Sequence, residues 1–335
     1  NTIGADVVII DEVSKIPFIE ILQPLLYGKT AILVGDHKQL PPMYSRIFEK
    51  DSNPDLYDSS IINEESDAIF RELYEKSFFE ELFNRSPWSY KSSLSIQYRM
   101  HPDIMNVVNF FYSSTPLSFG GNPIDKEHHL NIVGANGRTI LNEDTHILFV
   151  DCKGMHTRES GSTSLSNESE IKVVSELIRL LDTNCKYDRN QKPLKANKRK
   201  FEDDERLSLG VITAYADQAR QIRRNRQRLS SFNQDSDEKY IVSTVDDFQG
   251  DERDIIILST VRTSGSTPFL EDFRRINVAM SRARRLLIIV GNGTYLRNMK
   301  IKIDGRTENI YSKIIERIRT MGGYREDADI LGGGL

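Results

Sequence analysis

The sequence predicts an α/β protein built on parallel sheets, and three observations carry that prediction. Short runs rich in Val, Ile and Leu recur at residues 7–10, 31–34, 146–151, 210–213, 240–245, 254–261 and 286–290. Runs of this length and composition suit strands buried on both faces of a parallel sheet. Segments with apolar residues at three- and four-residue spacing separate them, such as Ile171, Val174, Ile178 and Leu181, or Ile310, Ile314, Ile315 and Ile318. Strands alternating with helices argue for βαβ units. The first two runs also end in acid, at Asp11-Glu12 and at Asp36. Ligands of open α/β sheets bind beyond such strand ends.

Taken in order, the chain opens with Asn1 and reaches its first strand within a few residues, a poor start for a free-standing sheet. It reads as a cut through a longer protein. Residues 16–27 form a short helix with Pro17 in its first turn, and residues 43–76 a polar insertion carrying a helix. Phe78, Phe79, Leu82 and Phe83 give a helical face that Ser86-Pro87 ends. Residues 94–96 are a strand, and a helix follows with Ile104, Val107, Val108 and Phe111 inward. Residues 116–144 read as loop and small turns. Asn167 with Glu170 three residues later is a capping-box signature. The basic run at 192–200 beside the acidic run at 202–205 reads as a solvated loop. Tyr215 opens a helix bearing Arg220, Arg223, Arg224, Arg226 and Arg228, and residues 309–321 are amphipathic helix. Beyond Gly322 the chain is expected to be disordered. The predicted organisation is therefore a first domain over residues 1–90, a second over 91–322 and a tail over 323–335.

Composition bounds the function. The 335 residues are 38% apolar and 28% charged, with a net charge of −4, an ordinary globular balance. Any nucleic-acid site must be a local basic surface. No apolar run is long enough to span a bilayer, so no membrane association is expected. Cys152 and Cys185 lack metal-ligand spacing and suggest a reducing compartment. The expected location is cytoplasmic, with the nucleus open.

The acids suggest phosphate chemistry. Asp11-Glu12 after a strand can hold Mg²⁺ through water and polarise an attacking water, although a helix cap reads equally well from these two residues alone. Gln39 is placed to sense a γ-phosphate. Five segments then occur in order: Asp11-Glu12-Val13-Ser14, residues 35–42 (GDHKQLPP), residues 97–102 (QYRMHP), residues 245–250 (VDDFQG) and residues 275–284 (RINVAMSRAR). In that order and spacing they resemble motifs II to VI of the superfamily-one DNA/RNA helicases, closest to the group containing the RNA helicase of nonsense-mediated decay. The resemblance covers roughly residues 5–295.

It implies tandem RecA-like parallel-sheet domains of the P-loop NTPase type, the first truncated at its N-terminus, with ATP and Mg²⁺ between the two. Residue by residue, Asp11 resembles the Mg²⁺ ligand and, with Asp36, part of the nucleotide site. Glu12 resembles the residue that activates water, and Gln39 the γ-phosphate contact. Arg99 and Arg282 resemble the arginines that stabilise the phosphoryl transition state. Tyr98 resembles the adenine-stacking aromatic. Gln249, Gly250 and Glu252 resemble the motif V turn and a ribose-contacting acid. Thr213, Tyr215 and Thr244 resemble nucleic-acid backbone contacts, although Ala214 stands where the family usually has proline.

The family also needs a phosphate-cradling Gly-x-x-x-x-Gly-Lys-Ser/Thr loop. Gly28-Lys29-Thr30 has its ending but not its earlier glycine. The implied function is the C-terminal part of an ATP-dependent helicase or translocase that moves 5′ to 3′ on single-stranded RNA or DNA. It would work with the N-terminal remainder of the same protein and be inactive without it. The alternative is a nucleotide-independent nucleic-acid-binding or scaffold fragment.

Overall fold

A computed structural model describes residues 4–42, 77–134, 136–187, 192, 207–225, 232, 240–248 and 251–332. The expected insertion at 43–76, most of the basic run with the acidic run after it, Arg226, Arg228, and the pair Gln249-Gly250 lie outside these residues. The chain divides into two compact units, Asn1–Ser93 and Leu94–Leu335.

In the first unit, strands β1 (Ala5–Ile10) and β2 (Gly28–Leu33) pair in parallel, with Ile9 opposite Ile32. The return between them is α1 (Phe18–Leu25), with Pro17 at its N-cap. Ser77 caps α2 (Phe78–Arg85), its side chain accepting from the Glu80 N–H. Ile10, Val13, Ile21 and Phe79 form the core on one face of the strand pair. The expectation of burial on both faces is corrected here. Alternation along a strand sends Val8 and Ile10 inward and Val7 and Ile9 outward, and among the described residues nothing covers the outer face. Ile9 is 67% exposed, and Val7, Ile32 and Val34 are exposed with it.

In the second unit, six parallel strands make one sheet. They are β3 (Ile147–Asp151), β4 (Leu209–Thr213), β5 (Tyr240–Thr244), β6 (Arg253–Ser259), β7 (Ala283–Gly291) and β8 (Tyr324–Glu326). Their order is β8-β3-β7-β6-β4-β5, and every pairing is parallel. The central strands are buried throughout, as near-continuous apolar runs predict. On one face, α4 (Glu168–Asn184), α5 (Ala216–Arg224) and α8 (Asp327–Leu331) enclose Leu148, Val150, Val211, Ile257 and Ile288. The other face meets α3 (Pro102–Val108), α6 (Phe273–Ser281) and α7 (Ile310–Thr320). Gly210, inside β4, is needed for this packing: a Cβ there would lie 2.7 Å from Phe248 Cζ and 2.8 Å from Ile256 Cδ1.

The stretch after Gly322 is not the expected disordered tail. Its polar composition concealed a sheet edge: Tyr324–Glu326 pairs with β3, and the Tyr324 hydroxyl donates to Asp151 Oδ2 at 2.5 Å. Ile330 of α8 is buried in the main core. Ile330→Ala should therefore cost about 3 kcal/mol, read as a lowered midpoint in urea unfolding; a loose tail would leave the midpoint unchanged.

Candidate functional site

The two acidic motifs of the first unit interlock through their backbones. Val34 N–H donates to Ile10 O at 2.8 Å and Val13 N–H to Val34 O at 2.9 Å. Asp36 N–H donates to the buried Ser14 hydroxyl at 3.2 Å. Gly35 permits this approach, because a Cβ there would lie 3.0 Å from both Ser14 N and Val13 Cγ1. Asp11 and Glu12 are exposed just beyond β1. Glu12 takes the left-handed conformation at φ 54°, rare for a non-glycine residue. Its N–H donates to Asp11 Oδ1 at 2.8 Å, and its carboxylate pairs with Lys15 at 2.8 Å. Asp36 plays a different part. Oδ1 accepts from Lys38 N–H and Oδ2 from Gln39 Nε2, each at 2.9 Å, so Asp36 orients Gln39.

The second unit gathers its charged candidates at the amino ends of β6 and β7. Glu252 precedes β6 and Arg282 precedes β7, and Arg253 N–H donates to Arg282 O at 3.0 Å. Arg282 is 3% exposed. Arg99 forms an ion pair with Glu252, and Arg284 binds the same carboxylate through Nε at 2.9 Å. Burial pushes the Glu252 carboxyl upward, but the Arg284 and Arg99 guanidinium groups outweigh it and hold it below the usual glutamate value. The Gln97 amide fixes the loop beneath. It accepts from Arg99 N–H at 2.9 Å and Met100 N–H at 2.8 Å, and it donates to Met100 O at 3.0 Å. Tyr98, between them, is 63% exposed, which leaves its ring open to stacking. The neighbouring arginines divide among acids: Arg285 binds the buried Asp254 at 3.2 Å, and Arg275 lies 3.8 Å from Asp246 and 3.9 Å from Asp272.

The nucleic-acid candidates sit at the opposite end of the sheet. Thr213 and Thr244 end β4 and β5, and Tyr215 caps α5. Thr213 is fully buried, and its Oγ1 has no hydrogen-bond partner among the described residues. Tyr215 is half-buried, with its hydroxyl 3.3 Å from Thr267 Oγ1. Thr244 Oγ1 donates to Asp247 at 2.7 Å. Arg220 is paired with Asp217 at 2.7 Å and Glu159 at 3.3 Å, a helix-surface role.

Two polar clusters escaped the sequence reading. At the carboxyl end, the predicted cap is part of a larger network. Asn167 Oδ1 accepts from Glu170 N–H at 3.2 Å, and the fully buried Glu170 carboxyl accepts from Ser259 Oγ at 2.6 Å and Val261 N–H at 2.9 Å. Burial raises this carboxyl to about 7. At the amino end, three imidazoles meet. His101 stacks on His146 with centroids 3.4 Å apart, and His128 meets His146 edge-on at 4.9 Å. His101 Nδ1 accepts from Asp103 N–H and His128 Nδ1 from Leu130 N–H, whereas His146 Nδ1 faces Arg285 O at 2.8 Å. These partners place the proton on Nε2 in the first two rings and on Nδ1 in the third. Among the described residues no group of three or more His, Cys, Asp or Glu side chains has metal-binding geometry. His128 and His146, each shortly before an apolar run, were the one available signal.

Burial, with His146 beside it, lowers His101 to about 3, and burial chiefly lowers His128 to about 3. Depressed imidazoles contribute stability that is fully present above pH 6.5, their unfolded value, and lost as the pH falls toward 3. Glu170 acts in the opposite direction, so a variant isolates the effect. The stability difference between wild type and His128→Asn should shrink by about 2 kcal/mol between pH 7 and pH 5, measured by denaturant titration at each pH.

Known proteins resemble the chain along most of its length. The AAA domain family matches residues 74–294, and a second AAA domain family matches residues 1–46. An uncharacterized ATP-dependent helicase of Methanocaldococcus jannaschii is 31% identical over 88% of this chain and 37% of its own length. The regulator of nonsense transcripts 1 of Dictyostelium discoideum is 29% identical over 86% of this chain and 18% of its own. Helicase sen1 of Schizosaccharomyces pombe is 30% identical over 87% and 15%. The chain thus spans well under half the length of these relatives. Among the described residues, no helix is long and apolar enough to cross a membrane. With its motifs in family order on parallel sheets, the chain belongs to the AAA-domain family of superfamily-one helicases.

Proposed function

We propose that this chain is the C-terminal motor portion of an ATP-dependent helicase that moves 5′ to 3′ along single-stranded RNA or DNA. The observation that carries the reading is the gathering of Arg99, Glu252 and Arg282 at one end of the second sheet, with Thr213, Tyr215 and Thr244 at the other. The first set has the charge that phosphoryl transfer needs; of the second, the half-buried Tyr215 and Thr244 are the ones a sugar-phosphate backbone would reach, whereas the fully buried Thr213 would act from beneath them.

In this reading Asp11 holds Mg²⁺. The ion usually takes one or two protein carboxylates and keeps several waters. An exposed Asp11 fits that demand, whereas Asp36 is committed to Gln39 and Lys38. The metal supplies charge neutralisation at the phosphates. Glu12 orients and deprotonates the attacking water, and Gln39 reads the γ-phosphate. Arg99 and Arg282 stabilise the charge that spreads over the transferring phosphoryl oxygens. Tyr98 stacks on the base. Gln249, Gly250 and Glu252 contact the sugar side of the nucleotide. The chain would act with an N-terminal remainder that carries the phosphate-cradling loop.

In the full-length protein, Glu12→Gln, Arg99→Ala and Arg282→Ala should each lower nucleic-acid-stimulated ATP hydrolysis by about a thousandfold. The assay is steady-state phosphate release with single-stranded RNA and DNA in parallel. Wild-type turnover in all three variants would refute the assignment of roles.

A further inference from the structure

The structure points to a role for Arg284, a residue to which no function is assigned above. Glu252 is shared by two guanidinium groups that arrive from different elements. Arg99 comes from the loop before α3, and Arg284 from the start of β7. The two arginines are differently held. The Arg99 side chain is 40% exposed, and its backbone is fixed by the Gln97 amide, so it can leave Glu252 by rotating its side chain alone. Such rotations are fast and need no movement of the fold. Arg284 belongs to a central strand, and its carbonyl accepts from His101 N–H at 2.8 Å. Its side chain is less exposed, at 29%, and grips Glu252 Oε1 with two nitrogens, Nε and Nη2, where Arg99 reaches the carboxylate through Nε.

We propose that Glu252 is the ligand Arg99 exchanges for nucleotide phosphate, and that Arg284 is the positioning residue that makes the exchange possible. The inference rests on the nucleotide reading above and extends it. A partly buried carboxylate that loses its sole cation is left uncompensated, which opposes the loss. With Arg284 in place, Glu252 keeps one charge-assisted pair after Arg99 departs. Without Arg284, Glu252 holds Arg99 more tightly. Without the Glu252 charge, Arg99 is released.

The two removals therefore act in opposite directions on phosphate affinity. The probe is inorganic tripolyphosphate with Mg²⁺, which has no sugar or base. A contact between Glu252 and the ribose thus does not enter the measurement. By isothermal titration of the full-length protein, Glu252→Gln should tighten tripolyphosphate binding about fivefold, and Arg284→Ala should weaken it by a similar factor. Arg284→Lys should recover most of the loss. Arg284→Ala combined with Glu252→Gln should match Glu252→Gln alone, and Arg99→Ala should abolish the gain.

Unchanged or weaker binding in Glu252→Gln overturns the proposal. So does a loss from Arg284→Ala that persists in full beside Glu252→Gln, since that is the mark of a purely structural arginine. Absence of both tripolyphosphate and ATP binding in the wild-type protein is a separate outcome and refutes the nucleotide reading itself.

Discussion

The second unit depends on one constraint, the common direction of its six strands. Parallel pairing from β8 to β5 puts every amino end on one rim and every carboxyl end on the other. A strand rises about 3.3 Å per residue, so the two rims of a strand as long as β6 stand about 20 Å apart. Glu252 and Arg282 lie at the first rim, and Ser259, Thr213 and Thr244 end strands at the second. No side chain reaches from one to the other. Between the two ends run β4, β6 and β7, buried on both faces and bonded on both edges, which makes them stiff. Gly210 shows how closely this slab is filled, since the Phe248 ring occupies the space where its side chain would stand.

The carboxyl rim stores backbone strain and holds it in place. Val261 is β-branched and buried, yet it has φ 67°. A left-handed conformation at such a residue costs about 1–3 kcal/mol and persists only where its surroundings determine it. Here both backbone groups are held: the N–H donates to Glu170, and the carbonyl accepts from Asn167 Nδ2 at 3.2 Å. Gln218 joins in, accepting from Asn167 N–H and donating to Ser259 Oγ. The loop that follows is tied to three other segments by His156 to Thr263, Tyr215 to Thr267 and Tyr295 to Gly265. A loop fixed at that many points presents its groups in one geometry.

Much of this was legible from the chain, because strand runs and amphipathic stripes are local signals. Val211 and Ile257 sit in uninterrupted apolar runs, and Ile314 and Ile318 keep helical spacing, so sheet and helices could both be read. Motif order carried the site candidates. What could not be read depends on which neighbours arrive. Among the described residues nothing covers the outer face of β1, although its sequence resembles that of a doubly covered strand, because covering is a property of the partner and not of Ile9. The edge strand at Tyr324 was hidden for the converse reason: two half-buried residues and one hydroxyl contact leave a polar sequence that resembles a loose end. The sharing of Glu252 by Arg99 and Arg284 joins positions far apart in sequence, and no spacing rule records it. The Asn167–Glu170 pair was visible as a cap, but its burial under the Ser259 end of β6 was not.

The imidazole cluster explains how the arginine-rich rim ends a helix without adding charge. His101 must cap α3, and its own N–H is committed to the Arg284 carbonyl. Asp, the usual charged N-cap, would set another carboxylate beside the residues that bind Glu252. A protonated ring would set a cation there instead, next to Arg284 and Arg285. A neutral imidazole avoids both. Stacking on His146 keeps it neutral, because that face-to-face contact at 3.4 Å removes water from both rings. His146 is fixed in turn by the Arg285 carbonyl and, through its own carbonyl, by Leu287 N–H, so the stack is anchored to β7. The loop bearing Arg99 is thereby held to the strand bearing Arg284 by uncharged groups, and the Arg99 guanidinium remains the mobile charge between them.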